Sequence, residues 1–212
     1  MLTAMTSPLP LVERKRRQAR ERIIHAAEEL FLARGFDDVS VGDIAERAEV
    51  GRTTFFRHFG DKQEVVFANE QELLDTITAA RQADSTPAPR GATEAVEQLR
   101  PVVLALCAQA TVNPEAYARH FQLIEQHQEL RARDAVKMQQ IADKLSELLI
   151  HRGSDAATAR FAAQIAIACY QTAKSLGNNP RTLADQTQTA FSRALTLGTG
   201  TAQTQPEPPG SG

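Results

Sequence analysis

The stretch "VGRTTFFRHFGDKQEVVF", residues 50–67, decides how this chain folds. It places four phenylalanines among two arginines, a histidine and a lysine. A helix buried on all sides would carry the rings without the charges, and a fully solvated helix would carry the charges without the rings. The combination therefore predicts a short helix that is fixed to a core by its rings and presents its cations outward.

The residues before this stretch complete a pair of short helices. Ser40 and Asp43 have the serine-to-acid spacing of a capping box, which predicts the start of a helix over 41–48. A tight turn follows at 49–51, and a second helix is expected over 52–59. A pair of short helices joined by so brief a turn is a candidate helix-turn-helix.

The second helix has one ring-bearing face. Phe55 and Phe59 are four residues apart and so share a face, which we expect to pack against Ile44 and Phe31. The side chains left on the other sides of this helix are Arg52, Thr53, Thr54, Phe56, Arg57 and His58. For His58, a structural role within the protein stays open beside an outward contact.

A basic segment lies upstream of the helix pair. Residues 14–22, "RKRRQARER", contain six cations and one acid, although the net charge of the whole chain is −2. An α-helix fits the major groove of DNA, where arginine and threonine read base edges, and flanking cations bind phosphates. The distribution favours a DNA-binding protein with phosphate contacts from Arg16, Arg17 and Lys62. A helical adaptor that uses the same helices to bind a protein is the alternative, and steep salt dependence would separate the two.

Composition limits the remaining function classes. There is no apolar run long enough to span a membrane and no secretory signal, and the two cysteines, Cys107 and Cys169, lie among apolar residues, so we expect a reduced, cytoplasmic protein. No glycine-rich phosphate loop or nucleophile elbow occurs. His120 and His127 are about 10.5 Å apart along a helix, too far to share a metal. We therefore expect no enzyme, no catalytic residue, no cofactor and no metal site.

Helical periodicity continues to residue 197. It predicts an all-α fold of about nine helices, in which an N-terminal three-helix helix-turn-helix domain is followed by a C-terminal helical domain. The first helix is expected over 13–33, a long one over 61–82, and Pro101 should kink or divide a later one. The predicted divisions are a disordered arm at 1–12, the helix-turn-helix domain at 13–60, the second domain at 61–197 and a disordered tail at 198–212.

Residues 16–67 resemble the amino-terminal DNA-binding domain of the tetracycline-repressor (TetR) family. The resemblance rests on "LFLARGFDDVSV", "DIAERAEV", and "TTFFRHF" followed by "DK". It implies a homodimeric transcription regulator, usually a repressor that a small molecule releases from a palindromic double-stranded DNA operator; an activator of the same fold is an alternative. The effector is expected to be small and hydrophobic.

The resemblance also assigns roles to residues. It places Arg52, Thr53 and Thr54 at bases. The remaining implied positions are Phe56, Arg57 and His58 at bases or phosphate, Lys62 at phosphate, and Ser40 and Val41 at the start of the helix that abuts the DNA backbone. Two positions depart from the family pattern: Phe56 replaces a tyrosine and lacks its hydroxyl, and Glu49 replaces a glycine in a turn that needs a positive φ.

The C-terminal half has no motif that identifies a ligand. A pocket is predicted among helices at about 92–152, lined by Leu99, Val103, Tyr117, His120, Phe121 and Ile124. The helix "SDAATARFAAQIAIACYQTAKSLG" carries Phe161, Ile165, Cys169 and Leu176 on one side and alanines on another. With the last helix it is predicted to form the dimer interface through Ala159, Ala162, Ala163, Ala166, Ala173, Phe191, Ala194 and Leu195; an interior helix of one subunit is the alternative.

Overall fold

The computed structural model describes residues 11–68, 70–82 and 85–197, and these residues form ten helices and no strand. The all-α prediction is confirmed, with one helix more than expected. The helices are α1 (Leu11–Arg34), α2 (Val41–Arg47), α3 (Arg52–His58), α4 (Lys62–Val66), α5 (Glu70–Gln82), α6 (Ala92–Ala110), α7 (Pro114–Gln126), α8 (Gln128–His151), α9 (Ala156–Ser175) and α10 (Leu183–Leu197).

The chain divides into two compact units between Gln71 and Glu72. The sequence placed the functional boundary between residues 60 and 61, and that division of roles stays a prediction. Residues 11 and 12, assigned to the arm, begin α1 instead. The rest of the predicted arm and the predicted tail at 198–212 lie outside the described residues. None of the described helices is both long and apolar enough to cross a membrane.

The first unit is built on α1. Its apolar stripe, Ile23, Ala26, Ala27 and Leu30, is buried against α2, α3 and α4. Fully buried Ile44 and Phe55 bring the two short helices into the same core, and Phe31 packs at its margin. Helices of seven residues are marginal alone, so this burial holds α2 and α3 in place.

The helix predicted over 61–82 is two helices. α4 begins as expected, with the Asp61 carboxylate accepting from the Glu64 amide at 2.8 Å, but it ends at Val66. Phe67 and Ala68 are buried, and the guanidinium of Arg20 donates to the Ala68 carbonyl. The burial of this turn and the hydrogen bond from Arg20 replace the backbone bonds that a continuous helix would make. Helical periodicity in the sequence does not reveal such a long-range contact.

The second unit centres on α9, which packs against α6, α8 and α10. Its alanines at 159, 162, 163, 166 and 173 are all buried there, and small side chains permit such close packing of helices. Pro101 lies inside a continuous α6 and does not divide it. Asn113 and Asp155 cap the starts of α7 and α9, since both side chains accept hydrogen bonds from first-turn amides.

Candidate functional site

The amino end of α2 is fixed by the predicted capping box. The Ser40 hydroxyl accepts from the Asp43 amide at 3.1 Å, and the Asp43 carboxylate accepts from the Ser40 amide at 2.8 Å. The Ser40 hydroxyl also donates to the Asp43 carboxylate. This bond and the one from the Ser40 amide hold the pKa of Asp43 below its ordinary value, and Arg34 lowers it further. Ser40 is exposed and Val41 is half-buried at the core margin, so this helix start is accessible to a partner.

The turn between α2 and α3 is a Schellman motif with glutamate where glycine is preferred. The Val50 amide donates to the Ala45 carbonyl at 2.9 Å, and the Glu49 amide donates to the Glu46 carbonyl at 3.0 Å. Glu49 has a φ of 53°, which confirms the positive φ expected at this position. Its carboxylate lies 3.9 Å from the Arg22 guanidinium, with the Glu49 side chain 87% exposed.

α3 shows the two-sided character expected of it. Phe55 and Phe59 are buried, with ring centroids 5.9 Å apart, whereas Phe56 points outward and is 54% exposed. Arg52, Thr53 and Arg57 are exposed and Thr54 is half-buried. The structure thus gathers the predicted contact residues on the sides of α3 that do not face the core.

Arg52 folds back across the start of α2. A side chain added at Gly42 would place its Cβ 2.5 Å from a terminal nitrogen of Arg52, so the guanidinium occupies the space that glycine leaves open. An open cleft of about 380 Å³ surrounds it and is lined by Ser40, Gly42, Asp43, Ala45, Glu46, Val50 and Arg52. A base contact by Arg52 therefore requires its side chain to leave this cleft.

The position of His58 fits both a structural role within the protein and an outward contact. The residue is half-buried, and its Nε2 is buried without a hydrogen bond among the described residues. Burial lowers its pKa, and the neighbouring Arg16, Arg57 and Arg20 lower it further. The imidazole of the protein without DNA is therefore mainly uncharged at pH 7.

The basic segment is exposed over most of its length. Arg16 and Arg17 are both exposed on α1, and Arg17 lies 3.5 Å from Glu21 in the next turn. Arg20 is used within the protein: besides its bond to Ala68, its guanidinium lies 5.4 Å from the Phe59 ring centre. The outer residues of this segment are available to phosphate, whereas Arg20 braces α1 against the end of α4.

Lys62 lies at the first position of α4, and its side chain turns inward. Its ammonium donates to the carbonyls of Phe36 at 2.8 Å, Val39 at 3.1 Å and Asp37 at 3.4 Å. The phosphate contact implied by the family resemblance would require the ammonium to leave these three carbonyls. No local pattern predicts these three contacts, because the carbonyls lie 23–26 residues away in the chain.

The predicted pocket residues are mainly core residues of the second unit. Leu99, Val103, Tyr117, Phe121 and Ile124 are buried, and His120 is half-buried. Tyr117, His120 and Phe121 do come together: the Tyr117 and Phe121 ring centres are 4.6 Å apart, and those of His120 and Phe121 are 5.0 Å apart. The pocket assignment stays a prediction.

An ion pair beside these rings was missed from the sequence. The Lys174 ammonium lies 3.1 Å from an Asp134 carboxylate oxygen, and their side chains are only 16% and 17% exposed. The same ammonium lies 4.1 Å from the Phe121 ring centre. The Tyr117 hydroxyl donates to Asn178, and burial raises its pKa, so this phenol stays protonated. The sequence signal that could have indicated this ion pair is Lys174 itself, a charged residue on the otherwise small and apolar inward face of α9.

The dimer residues predicted on α9 are in the wrong place for an interface. The five alanines are at most 1% exposed within one subunit, as is Phe191 of α10, and they cannot contact a second copy. Phe191 fills the core because α10 packs against both α6 and α9. Ala194 and Leu195 are half-buried, and their role in a dimer interface stays a prediction. On the opposite side, Phe161 of α9 is 56% exposed and Leu176, which caps the helix, is 62% exposed, whereas Cys169, predicted on the same side, is buried.

Comparison with known proteins supports the features of the first unit. Residues 23–68 match the family model described as bacterial regulatory proteins of the tetR family. The transcriptional regulator TcmR of Streptomyces glaucescens is 43% identical over 70 residues, which cover 33% of this chain and 31% of TcmR. HbdR of Aromatoleum is 34% identical over 108 residues, 50% of this chain and 42% of HbdR. The matches thus span less than half the length of either regulator.

The whole fold has solved counterparts. The crystal structure of Thermus thermophilus FadR, a TetR-family repressor in complex with lauroyl-CoA, is 25% identical with a TM-score of 0.53, covering 90% of this chain and 100% of FadR. The sequence matches are to transcriptional regulators. The helix-turn-helix unit thus matches the tetR family of bacterial regulatory proteins, and the fold of the chain is similar to that of a TetR-family repressor.

Proposed function

We propose that the chain is a homodimeric repressor that binds a palindromic DNA operator through α3 and is released by a small, largely apolar effector. The observation that carries the DNA-binding part is the two-sided α3: its buried rings fix the helix, and Arg52, Thr53 and Arg57 remain exposed. Arginine can bind guanine bidentately, and threonine offers a hydroxyl and a methyl group to base edges. Thr54, Phe56 and His58 complete the proposed contact surface.

Flanking contacts would fix the register on the duplex. Arg16 and Arg17 are exposed on α1, and Ser40 and Val41 begin α2. Cations and helix amino ends are the usual donors to phosphate oxygens. The proposed interface therefore combines base contacts from α3 with phosphate contacts from the two helices that precede it.

The exposed side of α9 supports the homodimer. Phe161, Ile165, Ala168 and Leu176 recur at helical spacing on that side, and Phe161 and Leu176 are more than half exposed. Large exposed apolar side chains in one stripe mark a contact surface. Two copies joined here would present two recognition helices, as a palindromic site requires at a spacing of about 34–36 Å.

The effector is proposed to bind the second unit. Its helices carry an apolar core, and the Lys174–Asp134 pair lies beside the Tyr117–Phe121 rings. Apolar surroundings with a few polar groups are typical of small-molecule sites. That the similar Thermus regulator was crystallised with lauroyl-CoA supports an effector with an apolar chain. Effector binding is proposed to change the separation of the two recognition helices.

The DNA-binding part is tested by fluorescence anisotropy with DNA from upstream of the chain's own gene, at two salt concentrations. We expect Arg52→Ala with Arg57→Ala to weaken binding by roughly tenfold or more, since one good arginine–base contact contributes about 1–3 kcal/mol. The matched control is Arg90→Ala with Arg119→Ala, which removes two exposed arginines from the second unit. Selection from random DNA extends the search, and failure to enrich any sequence would refute the proposal.

The dimer is tested by sedimentation equilibrium of Phe161→Glu. The variant should dissociate into folded monomers, because a charge in the apolar stripe opposes association without entering the core. Val112→Glu, at a position 81% exposed outside α9, is the control and should sediment like the wild type. A Phe161→Glu protein that remains a dimer would refute the proposed interface while leaving DNA binding untouched.

A further inference from the structure

The α1–α2 loop contains backbone carbonyls that converge on one point. Gly35 ends α1 with a φ of 83°, and Phe36 and Val39 are buried in the loop that follows. The carbonyls of Phe36, Asp37 and Val39 all lie within 3.4 Å of the Lys62 ammonium. Three carbonyl oxygens directed at one point carry like partial charges, so a cation between them offsets their repulsion.

The Lys62 ammonium matches this arrangement in number and in chemistry. A lysine ammonium has three N–H donors and no acceptor, so three carbonyls use its full hydrogen-bonding capacity. The ammonium also lies 4.3 Å from the centre of the Phe36 ring, a favourable position for a cation. Phe36 itself is 2% exposed, so the contact ties the lysine to a residue that is fixed in the protein.

The position of Lys62 on α4 is unfavourable for a cation unless it is compensated. It is the first residue of that helix, where the helix dipole is positive. The three carbonyls supply the negative partial charge that this position lacks. The side chain thus links the start of α4 to the loop before α2, across 23–26 residues of sequence.

The consequence for DNA binding follows from chain connectivity. Val39, whose carbonyl is 3.1 Å from the ammonium, directly precedes Ser40, the N-cap of α2. Fixing that carbonyl restricts where the first turn of α2 can lie. From this geometry we propose that Lys62 is a positioning residue: it holds the α1–α2 loop so that Ser40 and Val41 face DNA phosphate, and it does not itself bind phosphate. The inference rests on the proposed DNA binding.

The first test uses the wild-type protein without DNA. Brief acetylation followed by mass spectrometry compares Lys62 with Lys15, an exposed lysine of the same unit on α1. An ammonium held by three carbonyls should react much more slowly than Lys15, and addition of DNA should leave its rate unchanged. Equal reactivity in the free protein, or protection that appears only with DNA, would overturn the proposal.

The second test measures how DNA affinity depends on salt in Lys62→Met and Lys62→Arg. A lost phosphate contact lowers the slope of log K against log salt by about 0.9. A positioning lysine predicts that both variants bind more weakly with that slope unchanged, and that amides 39–43 exchange hydrogen faster than in the wild type. Arginine keeps the charge but its planar fork does not fit three convergent carbonyls.

The alternative role predicts the opposite pattern. If Lys62 binds phosphate, Lys62→Arg keeps wild-type affinity and Lys62→Met alone lowers the slope. That result, or unchanged affinity in Lys62→Met, would overturn the inference. If Lys62→Met does not fold, Lys62→Arg and the acetylation rates still decide. If the wild-type protein binds no DNA, the proposed function is refuted instead. Slow acetylation of Lys62 in the wild type, together with faster hydrogen exchange of amides 39–43 in Lys62→Arg, would still establish the contact between Lys62 and the loop.

Discussion

Replacing Glu49 by glycine should stabilise the first unit. A non-glycine residue in the left-handed region costs roughly 1–2 kcal/mol, and Glu49 has a φ of 53° at the Schellman position that favours glycine. Glycine also gains freedom in the unfolded chain, which offsets about 0.4–1 kcal/mol. The net expectation is a gain of about 0.5–1 kcal/mol, or a rise in melting temperature of about 2–3 °C.

The exposed contact between Arg22 and Glu49 changes this sum little, because an ion pair at 3.9 Å between solvated side chains is weak. The assay is urea denaturation of the wild type, Glu49→Gly and Glu49→Ala. Alanine removes the carboxylate but keeps the Cβ that makes a positive φ costly. Glu49→Gly should therefore be the most stable of the three, and a result in which it is no more stable than Glu49→Ala would refute the reasoning from backbone strain.

The same series separates strain from charge at the DNA surface. Glu49→Gln removes the negative charge and keeps the strained φ, so it should tighten DNA binding at low salt without raising the melting temperature. Glu49→Gly should change both quantities. If Glu49→Gln leaves affinity unchanged at low salt, the carboxylate lies too far from the phosphates to repel them.

Three further outcomes are expected. The pKa of His58 is lower in the folded than in the unfolded protein, so the unfolded chain binds the proton first as the pH falls. The free energy of unfolding of the wild type should therefore decrease from pH 7 towards pH 5, and His58→Gln should reduce that decrease in urea denaturation. Ser40→Ala should cost about 1 kcal/mol, and since the pKa of Asp43 is lowered, that difference should shrink as the pH falls below about 4. Tyr117→Phe, which leaves Asn178 without its hydroxyl donor, should cost about 1 kcal/mol by calorimetry.

Local signals made much of the first unit predictable. The spacing of Ser40 and Asp43 fixed the start of α2, and the four-residue spacing of Phe55 and Phe59 fixed the inward face of α3. Each depends on neighbours within one turn of helix. The positive φ of Glu49 was also predictable, but only from the family resemblance, because glutamate itself gives no sign of such a turn.

Contacts between distant residues explain the failures. The break after Val66 depends on Arg20, and the inward turn of Lys62 depends on carbonyls of the α1–α2 loop. On α9, both sides are apolar, and composition did not show which one the subunit buries. The alanine side proved to be the inner one because small residues let α6, α8 and α10 approach. The Lys174–Asp134 pair also joins two helices, and the sequence near Lys174 does not identify Asp134 as its partner.

The rest position of Arg52 over Gly42 has a consequence for protein engineering. Recognition helices are attractive modules to exchange between regulators, but here the side chain of Arg52, a proposed base contact, occupies space that Gly42 of the preceding helix leaves open. A Cβ at position 42 would lie 2.5 Å from the guanidinium and would displace it. A graft of residues 52–58 into another scaffold should therefore carry glycine at the position equivalent to 42, and in chimeras that omit it the arginine should have a different rest position.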